Sequence, residues 1–160
     1  MEEKVLPGHL TLAMIKPHAY RSGNIGAIIK KIEDAGFKIL ILKSVQLRKE
    51  GAEIFYKEHQ GKEFYKNLIN VMCSGPVIPM VLMKHNCVPE FRKLLGDTDP
   101  SKADIGTIRS EFGNPENITD NAVHGSASDQ EAYREISFFF KRELKLAESV
   151  DALDDQSGNL

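Results

Sequence analysis

The feature that most constrains the fold is an alternation of two hydrophobic periodicities along the chain. Residues 9–15, HLTLAMI, alternate in polarity and lie between Pro-Gly and Lys-Pro pairs, which is typical of a strand. The pattern then changes, and Gly36 closes a segment that begins after Asn24. In this segment apolar residues recur at helical spacing, at Ile25, Ile28, Ile29 and Ile32.

Later segments continue this alternation and predict the fold class. Strands are predicted over 37–47, 76–85 and 122–124, and the second of these is apolar enough to be covered on both faces. Helices are predicted over 53–57, 62–72 and 88–95, with a last helix after 128. The order β-α-β-α-β-α-β predicts an α+β fold, a ferredoxin-like split βαβ sandwich. Its four-stranded antiparallel sheet would carry the helices on one face.

The remaining segments define a loop, a last helix and a tail. Residues 96–119 are predicted to be a long polar loop, and a loop of that length in a compact domain is usually functional. Ser128 and Glu131 form a capping box before a helix. Its apolar stripe is Ala132, Ile136, Phe139 and Phe140. We expect one domain over residues 1–160, in which about 146–160 form a polar acidic tail, frayed or docked on a partner subunit.

The composition excludes some classes of function. A net charge of −2 gives no general attraction for nucleic acid or for an acidic membrane, so neither is expected as a partner. The first residues have no signal-like apolar run, and no segment has the length of a membrane span. Cys73 and Cys87 are too few for a zinc or redox motif and are typical of a reducing compartment. We therefore expect a cytoplasmic protein.

The stretch NAVHGSASD contains His124, which is a candidate catalytic residue. The chain has no glycine-rich phosphate loop, so side chains would have to bind any phosphate. His124 could be a core histidine bonded to the backbone. However, small residues follow it, and the N-terminus of the next helix could attract an anion. Attack on phosphorus requires a neutral imidazole whose second nitrogen donates to an acceptor, and Glu135 is the nearest candidate.

Cations must surround a phosphoryl group during transfer, because charge collects on its oxygens. Lys16 follows the first strand, Arg92 lies in the predicted helix 88–95, and Arg109 lies in the long loop. Each could instead be an ordinary surface charge. Their places at strand ends and in the loop before His124 favour a common site.

Five motifs together resemble one family. They are IKPH at 15–18, SGPV at 74–77, GTIR at 106–109, NAVHGS at 121–126 and REISFFF at 134–140. From Thr11 to Phe140 the chain resembles the nucleoside diphosphate kinases. The resemblance implies an enzyme, a phosphotransferase with a ping-pong mechanism. A nucleoside triphosphate such as ATP would give its γ-phosphate to His124 as a pros-phosphohistidine, and a nucleoside diphosphate would then collect it.

The resemblance also implies a role for each site residue. Phe64 would stack on the base with little discrimination between bases. Lys16 and Asn121 would reach the sugar hydroxyls, and Lys16 would also approach the transferred phosphate. Inner phosphates would meet Arg92 and Thr98, and outer phosphates Arg109. The residues supporting His124 would be Tyr56, Glu135 and Ser126.

Cofactor and assembly are likewise implied by the resemblance. Mg²⁺ would bridge phosphate oxygens with few or no direct protein ligands. Ribonucleotides and deoxyribonucleotides would both be substrates. The loop Asp97–Arg109 resembles the family's subunit-contact loop, so we expect a homo-oligomer built from a dimer, a hexamer in preference to a tetramer.

Three departures from the family pattern stand out. Ala127 replaces the usual Asp of His-Gly-Ser-Asp-Ser, and Asp129 is a candidate substitute for it. His18 replaces the Asp that commonly follows Lys-Pro, and the stretch GNPENITD at 113–120 is longer than in many members. Two alternatives to an active kinase remain: a binding or scaffold protein in which Ala127 marks lost catalysis, and a hydrolase. The second is disfavoured because no carboxylate cluster could hold two metals.

Overall fold

The computed structural model describes residues 8–157, with side chains described as far as residue 144. Seven α-helices and four strands follow in the order β1 (Leu10–Ile15), α1 (Pro17–Arg21), α2 (Ile25–Asp34), β2 (Lys38–Leu42), α3 (Lys49–Phe55), α4 (Tyr65–Cys73), β3 (Ile78–Met83), α5 (Cys87–Leu95), α6 (Ile108–Phe112), β4 (Val123–Gly125) and α7 (Asp129–Ser157). Short 3-10 turns occupy Lys57–His59 and Ile118–Asp120.

The four strands form one antiparallel sheet in the order β2-β3-β1-β4. β1 lies in the interior of the sheet, where Leu10 pairs with Met83 of β3 and Met14 pairs with His124 of β4. β2 is an edge strand with an irregular register between Ile39 and Ile41. The predicted α+β fold with a four-stranded antiparallel sheet is therefore confirmed.

Helices cover both faces of the sheet, so the prediction that they lie on one face is wrong. Alternate residues of β1 enter two separate cores: Ala13 and Ile15 join one, and Leu12 and Met14 join the other. The first core is completed by α1, α2, α5 and α6, and the second by α3, α4 and α7. β1 and β3 are buried on both sides, and the continuous apolar run of β3 is the pattern that predicted coverage of residues 76–85. β1 alternates in polarity, yet its Thr11 is also buried.

Most predicted elements are present with shifted ends. The strand predicted over 37–47 stops at Leu42, although Val45 still forms an isolated bridge with Val77. The helix predicted over 53–57 begins earlier, as α3, and the one predicted over 62–72 is α4. The prediction over 88–95 matches α5. One of the two hydrogen bonds of the predicted capping box is present, from the Glu131 amide to Ser128 Oγ at 3.1 Å, while Glu131 Oε2 accepts from Arg134.

Two short helices were not predicted. α1 follows β1 immediately, with Pro17 in its first turn, where the missing amide costs no helical hydrogen bond. α6 interrupts the predicted loop 96–119, and the Thr107 hydroxyl caps it by accepting from the Ser110 amide. The loop was therefore predicted too long.

The C-terminal helix continues well beyond its packed part. α7 changes direction at Phe140, where the backbone leaves helical angles, and its backbone then runs on to Ser157. Most of the predicted tail 146–160 therefore has a helical backbone, and residues 158–160 lie outside the described part. Docking of this tail on a partner subunit stays a prediction. In residues 8–157 we find no helix with the length and apolar character of a membrane span.

Candidate active site

His124 lies in β4, opposite Met14 of β1, and its ring packs against two aromatic side chains. The ring centroid of Phe55 is 5.3 Å away and that of Tyr56 is 6.0 Å away, both in edge-to-face geometry. Gly125 follows with no space for a larger residue, because a Cβ there would lie 2.7 Å from Leu95 and 3.0 Å from Phe91. Aromatic contacts thus hold the ring, and close packing at Gly125 holds its strand.

A buried carboxylate orients the imidazole. Glu135 Oε1 lies 2.8 Å from His124 Nε2 and accepts a second hydrogen bond from Ser126 Oγ at 2.8 Å. Glu135 is 3% exposed and Ser126 is fully buried. Because a carboxylate can only accept, Nε2 carries the proton and Nδ1 keeps its lone pair. The predicted grouping of His124, Glu135 and Ser126 is present in the structure.

Tyr56 supplies a neutral hydroxyl close to this group. The side chain is buried, and its hydroxyl has no hydrogen-bond partner within the described residues. Burial raises the pKa of the phenol strongly, and the nearby Glu135 carboxylate raises it further. Tyr56 therefore stays protonated and has a hydrogen bond to offer to an incoming acceptor.

Lys16 directly follows β1 and bonds to the turn that precedes His124. Its amide donates to the Ala122 carbonyl at 2.8 Å, and its Nζ donates to the Thr119 carbonyl at 3.1 Å. Burial and the positive charge of Arg109 lower the pKa of Lys16 to about 7, against the opposing effect of Asp120. The site therefore holds an ammonium group that is poorly solvated and lacks a full countercharge.

The cations converge on a cavity of about 220 Å³ lined by Arg92, Gly96, Asp97, Thr98 and Arg109. Arg109 lies in α6 rather than in a loop. Its Nη1 donates to the Gly96 carbonyl at 3.2 Å and its Nη2 to the Val123 carbonyl at 3.1 Å. Burial and the charge of Arg92 lower the pKa of Arg109 to about 10. Its Nε is buried without a partner among the described residues.

Asn121 connects the histidine strand to the cavity. Its Nδ2 donates to the Thr98 carbonyl at 3.0 Å, while its Oδ1 is buried without a protein partner in the described residues. Ala122 follows with φ of 71°, the left-handed region that non-glycine residues seldom adopt. This turn sets both Asn121 and His124 relative to Lys16.

A row of aromatic rings leads from the histidine to the surface, and one of its members was not predicted. His59 stacks near Tyr56 at 6.1 Å and contacts the half-exposed Phe64 ring at 5.3 Å. Burial and Lys62 lower the pKa of His59. The i, i+3 spacing of Tyr56 and His59 was the sequence signal that could have identified it.

The helix after His124 begins outside the cavity lining. The amide of Glu131 there is bonded to Ser128, and Asp129 Oδ2 lies 3.7 Å from the position of a Cβ on Gly8. Attraction of an anion by this helix end, and substitution of Asp129 for the acid missing at Ala127, both stay predictions.

The other two departures from the family pattern, at His18 and at residues 113–120, lie in defined surroundings. Nδ1 of His18 in α1 is buried without a partner in the described part of the chain. The long stretch 113–120 ends in the second 3-10 turn and is tied to α4 by Asn67, whose Nδ2 donates to Thr119 Oγ1 at 2.7 Å. The stretch therefore lies beside the site in a defined conformation.

The contacts above connect the ten predicted residues in series, and Phe64 joins them through His59. Three of the ten, Arg92, Thr98 and Arg109, line the cavity. The group combines an oriented imidazole, a buried Lys16, two further cations and donors without a partner in the described residues. Such an arrangement suits nucleophilic attack by a neutral nitrogen on a polyanionic substrate.

Comparison with known protein families gives one consistent result. A family model described as nucleoside diphosphate kinase matches residues 9–144. A nucleoside diphosphate kinase of Histophilus somni (strain 2336) is 46% identical over 130 residues, covering 81% of this chain and 91% of the relative. Nucleoside diphosphate kinase 1 of Protochlamydia amoebophila is 46% identical over 131 residues, covering 82% of this chain and 92% of that protein.

Solved structures of the same kind share the fold. The halophilic nucleoside diphosphate kinase of Halobacterium salinarum, in complex with CDP, superposes with a TM-score of 0.80 at 35% identity. It covers 85% of this chain and 90% of its own. The Aquifex aeolicus enzyme gives a TM-score of 0.79 at 34% identity, covering 82% of this chain and 94% of its own.

Proposed function

The chain belongs to the nucleoside diphosphate kinase family and is a phosphotransferase, and on that premise we propose that Nδ1 of His124 carries the phosphoryl group. The observation that carries this proposal is the 2.8 Å hydrogen bond between His124 Nε2 and Glu135. It supports a neutral ring with its proton on Nε2, which leaves Nδ1 free to act as the nucleophile. The product is the pros-phosphohistidine.

The phosphoryl transfer needs no general base. As the Nδ1–P bond forms, the bond between the γ-phosphorus and the bridging oxygen breaks, and the diphosphate leaves with the electron pair. Nδ1 has no proton to lose, and Glu135 stabilises the positive charge that develops on the ring. The same steps in reverse transfer the group to a second nucleoside diphosphate.

The cations have separate roles in this scheme. Arg92 and Thr98 bind the inner phosphates, and Arg109 binds the outer ones from across the same cavity. Lys16 approaches the transferred group, where a poorly solvated charge interacts strongly with the transition state. Tyr56 donates from its neutral hydroxyl and supports His124.

The nucleoside is bound at the exposed end of the aromatic row. Phe64 offers a half-exposed ring for stacking, which every base can use. Asn121 and Lys16 bind the sugar hydroxyls, and acceptance of both ribo- and deoxynucleotides is part of the proposal. The CDP complex of the Halobacterium salinarum protein supports nucleotide binding on this fold.

Mg²⁺ is proposed as the companion of the nucleotide phosphates. Asp97 is the one carboxylate among the residues lining the cavity, and its neighbours are cations, so the donor set fits a metal held mainly by phosphate oxygens. When bound, the ion neutralises phosphate charge. Thr98 and Arg92 then orient the same phosphates from the protein side.

Assembly into a homo-oligomer is also proposed, with a hexamer preferred to a tetramer. β2 is an edge strand whose Leu40 and Leu42 are each 48% exposed, so it offers both apolar area and free backbone groups to a second copy. Ile105 in the loop Asp97–Arg109 is fully exposed and supplies a further apolar contact.

Phosphohistidine labelling tests the proposed function. Parent protein incubated with γ-³²P-ATP should form an acid-labile, alkali-stable phosphoprotein and then pass the label to GDP. H124A should not be labelled. H85A is the matched control, because His85 is exposed and lies outside the site, and it should behave like the parent.

Two results would contradict the proposal. One is labelling of H124A at the parent level, which would place the nucleophile elsewhere. The other is release of inorganic phosphate from ATP without any acceptor nucleotide, which would indicate a hydrolase.

A further inference from the structure

Arg134 lies on α7 beside the residue that orients His124, and it has no part in the transfer described above. Its Nη2 is 3.9 Å from Glu135 Oε2 and donates to the Phe55 carbonyl at 3.2 Å. We propose that Arg134 is a positioning residue that places a positive charge beside Oε2 of Glu135 and holds Phe55 in place, so that His124 presents an unprotonated Nδ1. This inference rests on the proposed nucleophile.

The Arg134 guanidinium is held in place by Glu131. Its Nε and Nη2 both donate to Glu131 Oε2, at 3.0 and 2.8 Å. The two hydrogens of Nη2 are used by Glu131 and the Phe55 carbonyl, so the 3.9 Å contact with Glu135 Oε2 is an interaction of charges. The side chain of Arg134 is about one-third exposed, so its charge is partly screened.

Glu135 carries its carboxylate where little water reaches it. The residue is 3% exposed, so neighbouring groups must supply its hydrogen bonds and its countercharge. Oε1 is occupied by His124 and Ser126, which leaves Oε2 as the oxygen on which a proton would settle. Arg134 lies next to that oxygen. A protonated Glu135 would hold the imidazole less firmly in the tautomer with hydrogen on Nε2.

Arg134 also contacts Phe55, which packs against the His124 ring. The Arg134 guanidinium lies over the Phe55 ring at 5.7 Å, and the same ring packs edge-to-face on His124. One side chain therefore contacts both the acceptor of the imidazole proton and a wall of its pocket. Loss of Arg134 would loosen both.

Other ionisable groups also face this pair, and their effects must be separated from that of Arg134. The charges of Glu131 and His59 interact with His124, and Tyr56 interacts with Glu135. None of them contacts Glu135 Oε2 with a positive charge. Substitution of Arg134 alone should therefore isolate the effect.

The test measures the pH dependence of single-turnover labelling of His124 by γ-³²P-ATP. In R134M the acid limb of the rate profile should move up by about one pH unit, which gives a rate about tenfold lower at the pH where the parent is half-maximal. R134Q keeps hydrogen bonding but removes the charge and should show the same shift. R134K keeps the charge and should remain close to the parent.

Ring ¹⁵N chemical shifts give a readout independent of activity. The His124 signals are identified by their absence in H124A. At pH 7 the parent should show the hydrogen on Nε2, whereas R134M and R134Q should show an increased share of protonated Nδ1. R142M, on an exposed position of the same helix, is the matched control and should leave both readouts unchanged.

The outcomes are distinguishable from failure of the proposed function. If the parent is labelled and H124A is not, but the charge-free variants keep the parent profile and tautomer, only the role of Arg134 is overturned. A rate reduced equally at every pH also overturns it, because that indicates packing alone. If R134M does not fold, R134Q and R134K decide the result.

Discussion

At the scale of single residues, the site combines groups that burial makes unfavourable in the free protein. Lys16 is 5% exposed and has an ammonium group bonded only to a carbonyl, while the Asn121 carbonyl oxygen and the Tyr56 hydroxyl have no partner among the described residues. Buried polar groups without partners cost stability. Their cost is expected to be offset when a nucleotide supplies the missing partners.

Lys16 gives a quantitative test of this cost. Its pKa is lowered to about 7 in the folded state, so between pH 7 and 10.5 the unfolded chain binds more protons and the parent gains stability as pH rises. K16M removes the penalty. With folded and unfolded pKa values of about 7 and 10.5, it should be more stable than the parent by about 4 kcal/mol at pH 7 and by about 1.5 kcal/mol at pH 9.5.

Urea unfolding of the free proteins at pH 7 and 9.5 measures this difference. Phosphotransfer by K16M should fall by about 100-fold or more, because the charge acts on the transition state. Equal stability of parent and K16M at pH 7 would contradict the assigned burial penalty.

Glu135 gives the second test at this scale. In E135Q the side-chain amide can donate to His124 Nε2, which moves the ring proton to Nδ1 and blocks the nucleophile. The rate of His124 phosphorylation should fall by about 100-fold or more. S126A removes the hydrogen bond to Glu135 and the one accepted from the Leu12 amide, but keeps the carboxylate, so its loss should be less than about tenfold. Equal losses in rapid-quench labelling would count against a tautomer effect.

At the scale of elements, the placing of His124 depends on close contact between β4 and α5. G125A would force a Cβ to within 2.7 Å of Leu95 and 3.0 Å of Phe91, so we expect a loss of about 1–3 kcal/mol in the free energy of unfolding. G26A is the control. Gly26 lies inside α2 with open space around it, and alanine there should stabilise by about 0.5–1 kcal/mol.

Denaturant titration of the two variants should give changes of opposite sign. A stable G125A with parent activity would show that β4 can move away from α5, and would contradict the close packing as a determinant of the site.

The elements predicted correctly are those whose patterns are local. The isoleucines of α2 and the capping box of α7 lie on consecutive turns, so their periodicity is visible in the sequence. The end of β2 was not visible, because it depends on a register irregularity against β3. α1 and α6 are single turns fixed by tertiary contacts, and five residues cannot display a helical period.

The site residues likewise divide into those that the sequence indicated and those that depend on tertiary packing. Chemistry of the residues singled out five candidates, His124, Glu135, Lys16, Arg92 and Arg109, and the resemblance added the other five. Their catalytic and binding roles stay predictions. Arg134 was present in the quoted motif REISFFF without a role, because its partners Phe55 and Glu135 meet only through the packing of α3 on α7. His59 was missed because a lone histidine in a polar segment carries no signal by itself.

At the scale of the whole molecule, the exposed edge of the sheet predicts how copies associate. L40E/L42E places two charges on β2 and should lower the mass in solution to that of smaller species, as measured by light scattering. I54E is the matched control, since Ile54 is exposed on α3. A parent protein that is already monomeric would contradict the proposed assembly.

Nucleotide should stabilise the whole molecule as well as occupy the cavity. Saturating ADP with Mg²⁺ at 100 times its dissociation constant should add about 2.7 kcal/mol to the free energy of unfolding. R109M should lose most of that increment in thermal unfolding. An increment unchanged in R109M would exclude the cavity lined by Arg92 and Arg109 as the phosphate site.

The hydrogen bonds that join β1 to the histidine segment span most of the chain. Lys16 bonds Thr119 and Leu12 bonds Ser126, over separations of 103 and 114 residues. A chain released before residue 126 would therefore lack Ser126 and the Glu135 acceptor, although it carries nearly every phosphate-binding cation. We expect such truncated products to bind nucleotide poorly and to transfer no phosphoryl group. The chain would become catalytically competent only after translation has passed the final helix.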